Sequence, residues 1–269
     1  MKRETCIACG ETAATVFFDL DRAPVLCNAP CDSREEALRF PVGRIALAFC
    51  ARCGHVFNAA FDPGLINYSQ HYENSLHYSP CFDTYIRTLA ADLVERFGLR
   101  GKDIVEIGCG KGDFLALLCE LGGNRGLGFD PSYEPGRLAQ AAAGELRIIC
   151  DFYNESYAHL PCDFLCSRHT LEHLAAPAEF LKTILLAAGE RRPAIFFEVP
   201  NALYTLRHKG IWDIIYEHVS YFWSFPLSKL FTRCGFAVHS VHATYGGQFL
   251  CLEASSNSAA DGDFRGGEE

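Results

Sequence analysis

A strand of apolar residues runs into three alternately spaced glycines at residues 105–115, VEIGCGKGDFL, and this segment restricts the fold more than any other. Gly108, Gly110 and Gly112 lack a Cβ atom, so the backbone can turn sharply there and approach a bulky ligand closely. A G-x-G-x-x-G dinucleotide site needs its third glycine one residue later, where this chain has Asp113, and that spacing disfavours NAD and FAD. A tight strand-to-helix turn without a ligand is the alternative.

The glycine segment resembles the S-adenosylmethionine-binding turn of class I methyltransferases. The resemblance implies that Gly108, Gly110 and Gly112, together with Glu106 in the preceding strand, form part of the site for that cofactor. The steric requirement agrees, because residues without a Cβ let the backbone lie against an adenosyl group.

The residues that follow the next two strands are candidates for the rest of this site. An apolar run at residues 126–129 ends in Asp130, and an acidic residue roughly twenty positions beyond a glycine turn can accept hydrogen bonds from both ribose hydroxyls. An ordinary Asp-Pro turn is the alternative. A third strand, residues 146–150, ends in Asp151 and Phe152, where a carboxylate could accept the adenine amino group and a ring could flank the purine. An acidic loop without a ligand explains this pair equally well.

Strands and helices alternate after residue 103, which predicts a parallel sheet with helices on both faces. The last two strands flank Tyr245-Gly246-Gly247 and read as a hairpin that adds an antiparallel strand. The fold class predicted is therefore α/β, a Rossmann-like class I methyltransferase with a mostly parallel seven-stranded sheet and an antiparallel last strand. The predicted helices are residues 82–97 and 114–121, and the predicted strands are 104–107, 126–129, 146–150, 164–167, 194–199, 236–244 and 248–254.

Four of the fourteen cysteines form two C-x-x-C pairs, each followed by a glycine: Cys6, Cys9, Cys50 and Cys53. Two such pairs supply the four thiolates of a closed tetrahedral zinc site, which has no open position for catalysis and serves folding. A redox dithiol or a coincidence among many cysteines is the alternative. We expect the other ten cysteines to be small apolar fillers and His55, beside the second pair, to lie at the surface.

Composition agrees with one substantial domain and a small accessory domain, because 49% of residues are hydrophobic and 21% are charged. The net charge of −9 offers little attraction to nucleic acid or to anionic membranes, which favours a small-molecule acceptor. No apolar stretch approaches the eighteen or so residues needed to span a bilayer, and the first residues do not form a signal peptide. We therefore expect a cytoplasmic protein.

Two histidine clusters are predicted near the carboxyl ends of the strands, where open parallel sheets bind their ligands. In HTLEH, residues 169–173, His169 could touch the cofactor and His173 lies one helical turn onward on the same side. Structural histidines are an equally weighted alternative. In IYEHVSYF, residues 215–222, a carboxylate adjoins a histidine among aromatic residues, which suits a base near neutral pH.

These motifs occur in the same order in the sugar C-methyltransferases of deoxysugar biosynthesis, which the chain resembles from Cys6 to about Glu253. The shared motifs are the two cysteine pairs, VEIGCGKGDFL, GFDPS, HTLEH and YEHVSYF. The resemblance implies S-adenosylmethionine as methyl donor, zinc bound by the amino-terminal cysteines, and a nucleotide-linked 4-keto sugar as acceptor. In that family a histidine removes a proton next to the ketone, and the resulting enolate carbon attacks the methylsulfonium.

Carried over by position, His218 is the base, Glu217 is its partner, and Tyr72 is a substrate contact. His169 or His173 assists. The family has Tyr-His-Glu-His where this chain has Ile-Tyr-Glu-His at residues 215–218, so the role of the missing tyrosine passes to Tyr216 or Tyr221.

The sugar enzymes continue into a further carboxy-terminal domain, and we expect this chain to lack a counterpart of it. Recognition of a nucleotide-linked sugar therefore stays open, as do O- or N-methylation of another metabolite and a catalytically inactive binding module. Turn signals and composition divide the chain into a zinc-binding domain (1–62), a linker or lid (63–80), a methyltransferase domain (81–255) and a disordered tail (256–269).

Overall fold

The computed structural model describes residues 4–27, 29–66, 79–133, 146–188 and 191–256. Within these residues the strands are β1 (Ala14–Pro24), β2 (Val42–Cys50), β3 (Val56–Asn58), β4 (Asp103–Ile107), β5 (Arg125–Phe129), β6 (Leu146–Ile149), β7 (Phe164–Arg168), β8 (Ala194–Pro200), β9 (Ser220–Tyr221), β10 (Phe236–Thr244) and β11 (Phe249–Ser256). The α-helices are α1 (Arg34–Arg39), α2 (Pro80–Arg96), α3 (Asp113–Gly122), α4 (Pro177–Ala188), α5 (Ala202–His208) and α6 (Ser224–Arg233).

The larger sheet has seven strands in the order β10-β11-β8-β7-β4-β5-β6. Strands β4, β5, β6, β7 and β8 are mutually parallel, and β11 inserts antiparallel between β8 and β10. This is the predicted class I methyltransferase architecture, including the terminal hairpin. The order reverses at β4, which makes the carboxyl ends of β4, β5 and β7 the place where a doubly wound sheet binds its ligand.

The central strands form because they are apolar enough to be covered on both faces. In β7 the residues Phe164, Leu165 and Cys166 are at most 1% exposed, although neighbouring side chains of a strand point to opposite faces. Helix α2 contributes a face of Phe82, Ile86, Leu89 and Leu93, all of them buried. The sheet is thus a closed core layer, and only its strand ends are available for chemistry.

A second sheet has four antiparallel strands in the order β1-β2-β3-β9. Its first three strands come from the amino-terminal sixty residues, whereas β9 comes from the segment just after His218. The amide of Asn58 also donates to the Val219 carbonyl oxygen at 2.8 Å. The amino-terminal sheet is therefore completed by a segment from the methyltransferase part of the chain.

No α-helix of the described residues combines the length and the apolar character that a bilayer crossing requires.

Candidate active site

The glycine turn after β4 has the conformation that its sequence predicts. Gly108, Gly110 and Gly112 have φ of 71°, 54° and 81°, in the left-handed region that favours glycine. A Cβ on Gly108 would lie 2.0 Å from Thr170 Oγ1, so the turn after β4 packs directly against the turn after β7. Gly112 then caps α3, whose first amides point back toward the turn.

Asp130 lies at the end of β5 beside this turn and is only 7% exposed. Its Oδ2 accepts the amide of Gly110 at 2.7 Å, while Oδ1 accepts the amide and the hydroxyl of Ser132 at 2.9 and 2.6 Å. The carboxylate thus fixes the turn against the next strand. Oδ2 has accepted only one hydrogen bond and can accept a second, so Asp130 can also meet a ribose hydroxyl.

Glu106 sits in the middle of the sheet, two residues before the turn, and is 2% exposed. Burial raises the pKa of its carboxyl to about 8, against the opposing effect of the Arg168 charge. Its Oε2 has no hydrogen-bond partner among the described residues. This oxygen lies near the glycine turn, so it can form a hydrogen bond with a bound ligand or a water molecule.

Asp151 and Phe152 follow β6 at the far end of the predicted cofactor site. Asp151 Oδ1 accepts the amide of Phe152 at 2.7 Å, and Oδ2 accepts the Tyr157 hydroxyl at 2.6 Å. The Phe152 ring is 66% exposed and is therefore free to lie against a planar ligand.

A buried charge network lies at the ends of β7 and β8. Arg168 donates to Glu198 Oε1 through Nε at 3.1 Å and Nη2 at 2.8 Å, and the Tyr85 hydroxyl of α2 donates to Glu198 Oε2. His169 Nε2 lies 2.9 Å from Glu198 Oε1 without a linear hydrogen bond. Burial of Glu198 disfavours its charge, but Arg168 and His169 outweigh that effect and depress its pKa.

His169 links this network to a second buried carboxylate. Its Nδ1 lies 3.6 Å from Glu172 Oε1, and its backbone φ of 50° is unusual for a residue other than glycine. Burial opposes protonation of His169, but Glu172 and Glu198 together raise its pKa to about 9. A cationic imidazole thus lies between two anionic side chains at the carboxyl edge.

Glu172, His173 and His218 form a compact cluster on the other side of His169. One ligand-capable atom from each lies within 4.8 Å of the other two. The rings of His173 and His218 meet edge to face with centroids 5.0 Å apart, and Glu172 is 1% exposed. Burial lowers the pKa of His173 to about 4, despite the opposing effect of Glu172. The structure therefore brings HTLEH and YEHVSYF together, as the predicted edge location requires.

His218 is held in one orientation, because its Nδ1 lies 2.9 Å from the Asp213 carbonyl oxygen. A carbonyl oxygen can only accept, so Nδ1 carries the hydrogen, and in the neutral ring the lone pair is on Nε2. That lone pair can accept a proton.

The segment around His218 is fixed by the amino-terminal part of the chain. Glu217 Oε2 accepts the amide of Cys27 at 2.7 Å. The Tyr216 hydroxyl accepts the Asp62 amide at 2.8 Å and donates to the Asp62 carbonyl at 3.2 Å. Tyr216 is also fully buried, in the same apolar cluster as Ile45 and Val56 of the amino-terminal sheet, and its catalytic role stays a prediction. Tyr221 donates to the Ile215 carbonyl at 3.4 Å.

The four cysteines of the C-x-x-C pairs converge at one point. Cys6 Sγ lies 3.6 Å from Cys53 Sγ, Cys9 Sγ lies 3.7 Å from Cys50 Sγ, and all four sulfurs lie within 4.8 Å of one another. The following glycines, Gly10 and Gly54, have φ of 76° and 78°, and each donates its amide to the carbonyl of the first cysteine of its pair. A hydrogen bond from Cys6 lowers the pKa of Cys53 to about 5, which shows the mutual influence of these thiols.

Two expectations about neighbouring residues were wrong. His55 is fully buried between Phe57 and Phe222 instead of lying at the surface, and its Nε2 lies 3.2 Å from Ser220 Oγ. Burial lowers its pKa to about 3. Among the ten other cysteines, three are exposed and thus not apolar fillers: Cys27, Cys81 and Cys150.

Tyr72, predicted as a substrate contact, lies outside the described residues. Conversely, sequence reasoning missed Arg168 and Tyr85, which bind Glu198. Arg168 could have been found from the sequence, because a charged residue at the end of an otherwise apolar strand requires a buried partner. Tyr85 is three residues after Phe82 on the same helical face, and only the fold shows its hydroxyl reaching β8.

Comparison with known proteins agrees with this geometry. The profile of a family described as "Methyltransferase domain" matches residues 82–241, which is more than half of the chain. The plantazolicin methyltransferase BpumL in complex with SAH is similar over 67% of this chain and 86% of its own, with 15% identity and a TM-score of 0.51. The 1,6-didemethyltoxoflavin-N1-methyltransferase of Burkholderia thailandensis, with 1,6-didemethyltoxoflavin and S-adenosylhomocysteine bound, is similar over 76% of this chain and 96% of its own, with 16% identity and a TM-score of 0.50. No curated protein sequence matches the chain significantly.

The matched segment contains the glycine turn, Asp130 and the ends of β6, β7 and β8, so fold and site define an enzyme of the class I methyltransferase type. The chain belongs to the methyltransferase-domain family, and it is an S-adenosylmethionine-dependent methyltransferase.

Proposed function

We propose that this enzyme methylates a carbon atom next to a ketone in a small molecule, a keto sugar or a related natural-product intermediate, and that His218 is the base. The observation that supports this proposal is the fixed His218 ring, which donates Nδ1–H to the Asp213 carbonyl and keeps a lone pair on Nε2. Carbon becomes nucleophilic only after deprotonation, so C-methylation requires a base of this kind.

The proposed reaction has two steps. His218 Nε2 accepts the proton from the carbon beside the ketone, and the electron pair of the broken C–H bond forms the enolate. The enolate carbon then attacks the methyl group of S-adenosylmethionine, the bond from sulfur to methyl breaks, and S-adenosylhomocysteine leaves with the electron pair. His218 returns its proton to solvent. The enzyme also accelerates the reaction by holding the enolate carbon in line with the methyl group of the donor.

In this proposal Glu217 positions the base, because its Oε2 accepts the Cys27 amide at 2.7 Å and so fixes the segment that contains His218. His173 contacts His218 and lines the acceptor side, and Tyr72 remains a proposed substrate contact. The cofactor would be held by the turn at Gly108, Gly110 and Gly112 and by the following carboxylates, with the ring of Phe152 against the adenine: Glu106, Asp130 and Asp151.

We also propose a structural Zn²⁺ at Cys6, Cys9, Cys50 and Cys53. Zinc–sulfur bonds of about 2.3 Å in a tetrahedron place the sulfurs about 3.8 Å apart. The closest pairs here are 3.6 and 3.7 Å apart, so the thiol positions fit the ion. Such an ion offsets half of the charge of four crowded thiolates and has no open coordination position.

Methylation of nitrogen is a second candidate. One structural relative, similar over 76% of this chain, is an N1-methyltransferase. The lone pair of His218 Nε2 can equally accept a proton from an N–H group, so the products must decide between the two.

The test uses S-adenosylmethionine with a ¹³C-labelled methyl group and a panel of keto sugars, nucleotide-linked keto sugars and N-heterocycles. Mass spectrometry finds the methylated product, and NMR shows whether the label is on carbon or nitrogen. Label on nitrogen alone would refute C-methylation.

The role of His218 is tested separately with a keto acceptor in D₂O and S-adenosylhomocysteine in place of the methyl donor. The wild type should exchange the proton beside the ketone, and His218→Asn should lose this exchange at least 100-fold. Asparagine can still donate to the Asp213 carbonyl, so cofactor affinity should change less than twofold. Undiminished exchange in the variant would remove His218 from the mechanism.

A further inference from the structure

The Glu172, His173 and His218 cluster has a donor set that the proposed proton transfer does not require in full. It joins two segments, because Leu171–His173 is a 3-10 turn after β7, whereas His218 directly precedes β9. The Glu172 carbonyl accepts the Val219 amide at 2.8 Å, which fixes the two segments together. Two imidazoles and one carboxylate thus converge from a preformed scaffold.

Glu172 provides the strongest indication of a missing partner. It is 1% exposed, and neither carboxylate oxygen has a hydrogen-bond partner among the described residues. Its contact with His169, at 3.6 Å, is too long for a hydrogen bond. A buried carboxylate normally has its oxygens bonded or coordinates a metal ion.

His218 has the orientation that a metal ligand needs. Its Nδ1 donates to the Asp213 carbonyl, as histidine ligands of metal ions usually do with their second nitrogen. Its ring meets the ring of His173 edge to face, with centroids 5.0 Å apart, and Nε2 is the ring nitrogen left for an ion. Both the tautomer and the ring plane are therefore set before any ion arrives.

We propose that Glu172, His173 and His218 bind a divalent transition-metal ion of the zinc class, at a site separate from the four cysteines. Two histidines and one carboxylate are a common donor set for such ions, and they leave coordination positions open. Bonds of 2.0–2.2 Å in a tetrahedron hold the donors about 3.4 Å apart. The present separations, up to 4.8 Å, close to that value through small rotations of the side chains.

This ion and the proposed base reaction exclude each other. The ion occupies the Nε2 lone pair of His218, which then has no electron pair for the acceptor proton. The metal-bound enzyme should therefore be inhibited, and a chelator that removes this ion should restore turnover. Binding of the ion itself does not depend on which acceptor the enzyme methylates.

The test counts Co²⁺ and Zn²⁺ bound to the full chain under reducing conditions. The proposal expects two ions per wild-type chain. One ion should show intense near-ultraviolet bands from sulfur-to-cobalt charge transfer, and the other should show only weak visible bands from nitrogen and oxygen ligands. Glu172→Gln and His173→Asn should each lose the second ion and keep the first.

Glu217→Gln is the matched control, since it removes a neighbouring carboxylate outside the donor set and should keep both ions. Retained S-adenosylmethionine binding shows that each variant is folded. A wild type without the weak-band ion overturns the proposal, and so does a Glu172→Gln/His173→Asn protein that still binds it. Methyl transfer by wild type that holds only the cysteine-bound ion tests the proposed function independently, so the two failures are distinguishable.

Discussion

Among single residues, Gly108 has the least freedom to change. Its φ of 71° and the 2.0 Å gap between an added Cβ and Thr170 Oγ1 combine backbone strain with a steric clash. Gly101 provides a comparison, because its φ of 63° is similar but a Cβ there would meet nothing within 4 Å.

We predict that Gly108→Ala lowers S-adenosylmethionine affinity at least tenfold, because the turn must move away from Thr170. Gly101→Ala should cost only the strain of the left-handed conformation, on the order of 1 kcal/mol of stability. Calorimetric titration with the cofactor and chemical denaturation measure the two effects. Equal cofactor affinity in both variants would show that the turn does not contact the ligand.

We predict that ionisation of Glu106 makes the free energy of unfolding depend on pH. Burial raises its folded pKa to about 8, above the ordinary value of 4.5, so the folded state binds more protons than the unfolded state between these values. The stability of the wild type therefore falls as pH rises through this range, by an amount on the order of a few kcal/mol. Glu106→Gln removes this ionisation. Its melting temperature relative to the wild type should rise from pH 5 to pH 9, and a constant difference would contradict the assignment.

At the scale of elements, strand β9 connects the cysteine cluster to the proposed base. Val56 and Phe57 of β3 pair with Tyr221 and Ser220 of β9, and β3 begins three residues after Cys53. The order of β3 should therefore influence the position of His218, which directly precedes Val219 and β9.

We predict that removing the metal from the four cysteines increases amide hydrogen exchange in residues 216–221 at least tenfold. Exchange in β4 and β7 should change less than twofold, because these strands lie in the other sheet. Amide hydrogen exchange is measured by mass spectrometry for the metal-loaded protein and for the protein from which the metal has been removed. Uniform loss of protection would instead indicate global unfolding, and unchanged protection at 216–221 would refute the coupling.

The elements that could be predicted from sequence are those specified locally. Strand β10 has the predicted bounds, Phe236–Thr244, because apolar β-formers end there at a glycine turn. The strand β9 was not predicted, since its two residues pair with β3 more than 160 positions away. The same limit applies to the site. The glycine turn could be predicted, because it depends only on residues that lack a side chain. The burial of Glu172 without a hydrogen-bond partner and the hydrogen bond from the Cys27 amide to Glu217 could not, because both depend on contacts between distant segments.

At the scale of the molecule, the two sheets share a core. Cys6, Cys50 and Phe57 belong to the same buried cluster as Phe231 of α6 and Leu250 of β11. On α6, Lys229 donates to the Arg52 carbonyl and Arg233 donates to the Cys9 carbonyl, at 3.4 and 3.1 Å. Because the two sheets share one apolar core, the amino-terminal part and the methyltransferase part should fold and unfold together.

We predict that the metal-loaded chain unfolds in one cooperative thermal transition, with equal calorimetric and van't Hoff enthalpies. S-adenosylmethionine binds the methyltransferase sheet, so it should raise this single melting temperature and thereby stabilise the amino-terminal sheet as well. Removing residues 1–62 should lower the melting temperature, because β9 loses β3 and the apolar face under α6 is uncovered. Two separate transitions, only one of them shifted by the cofactor, would show instead that the amino-terminal part is an independent domain whose metal site does not influence His218.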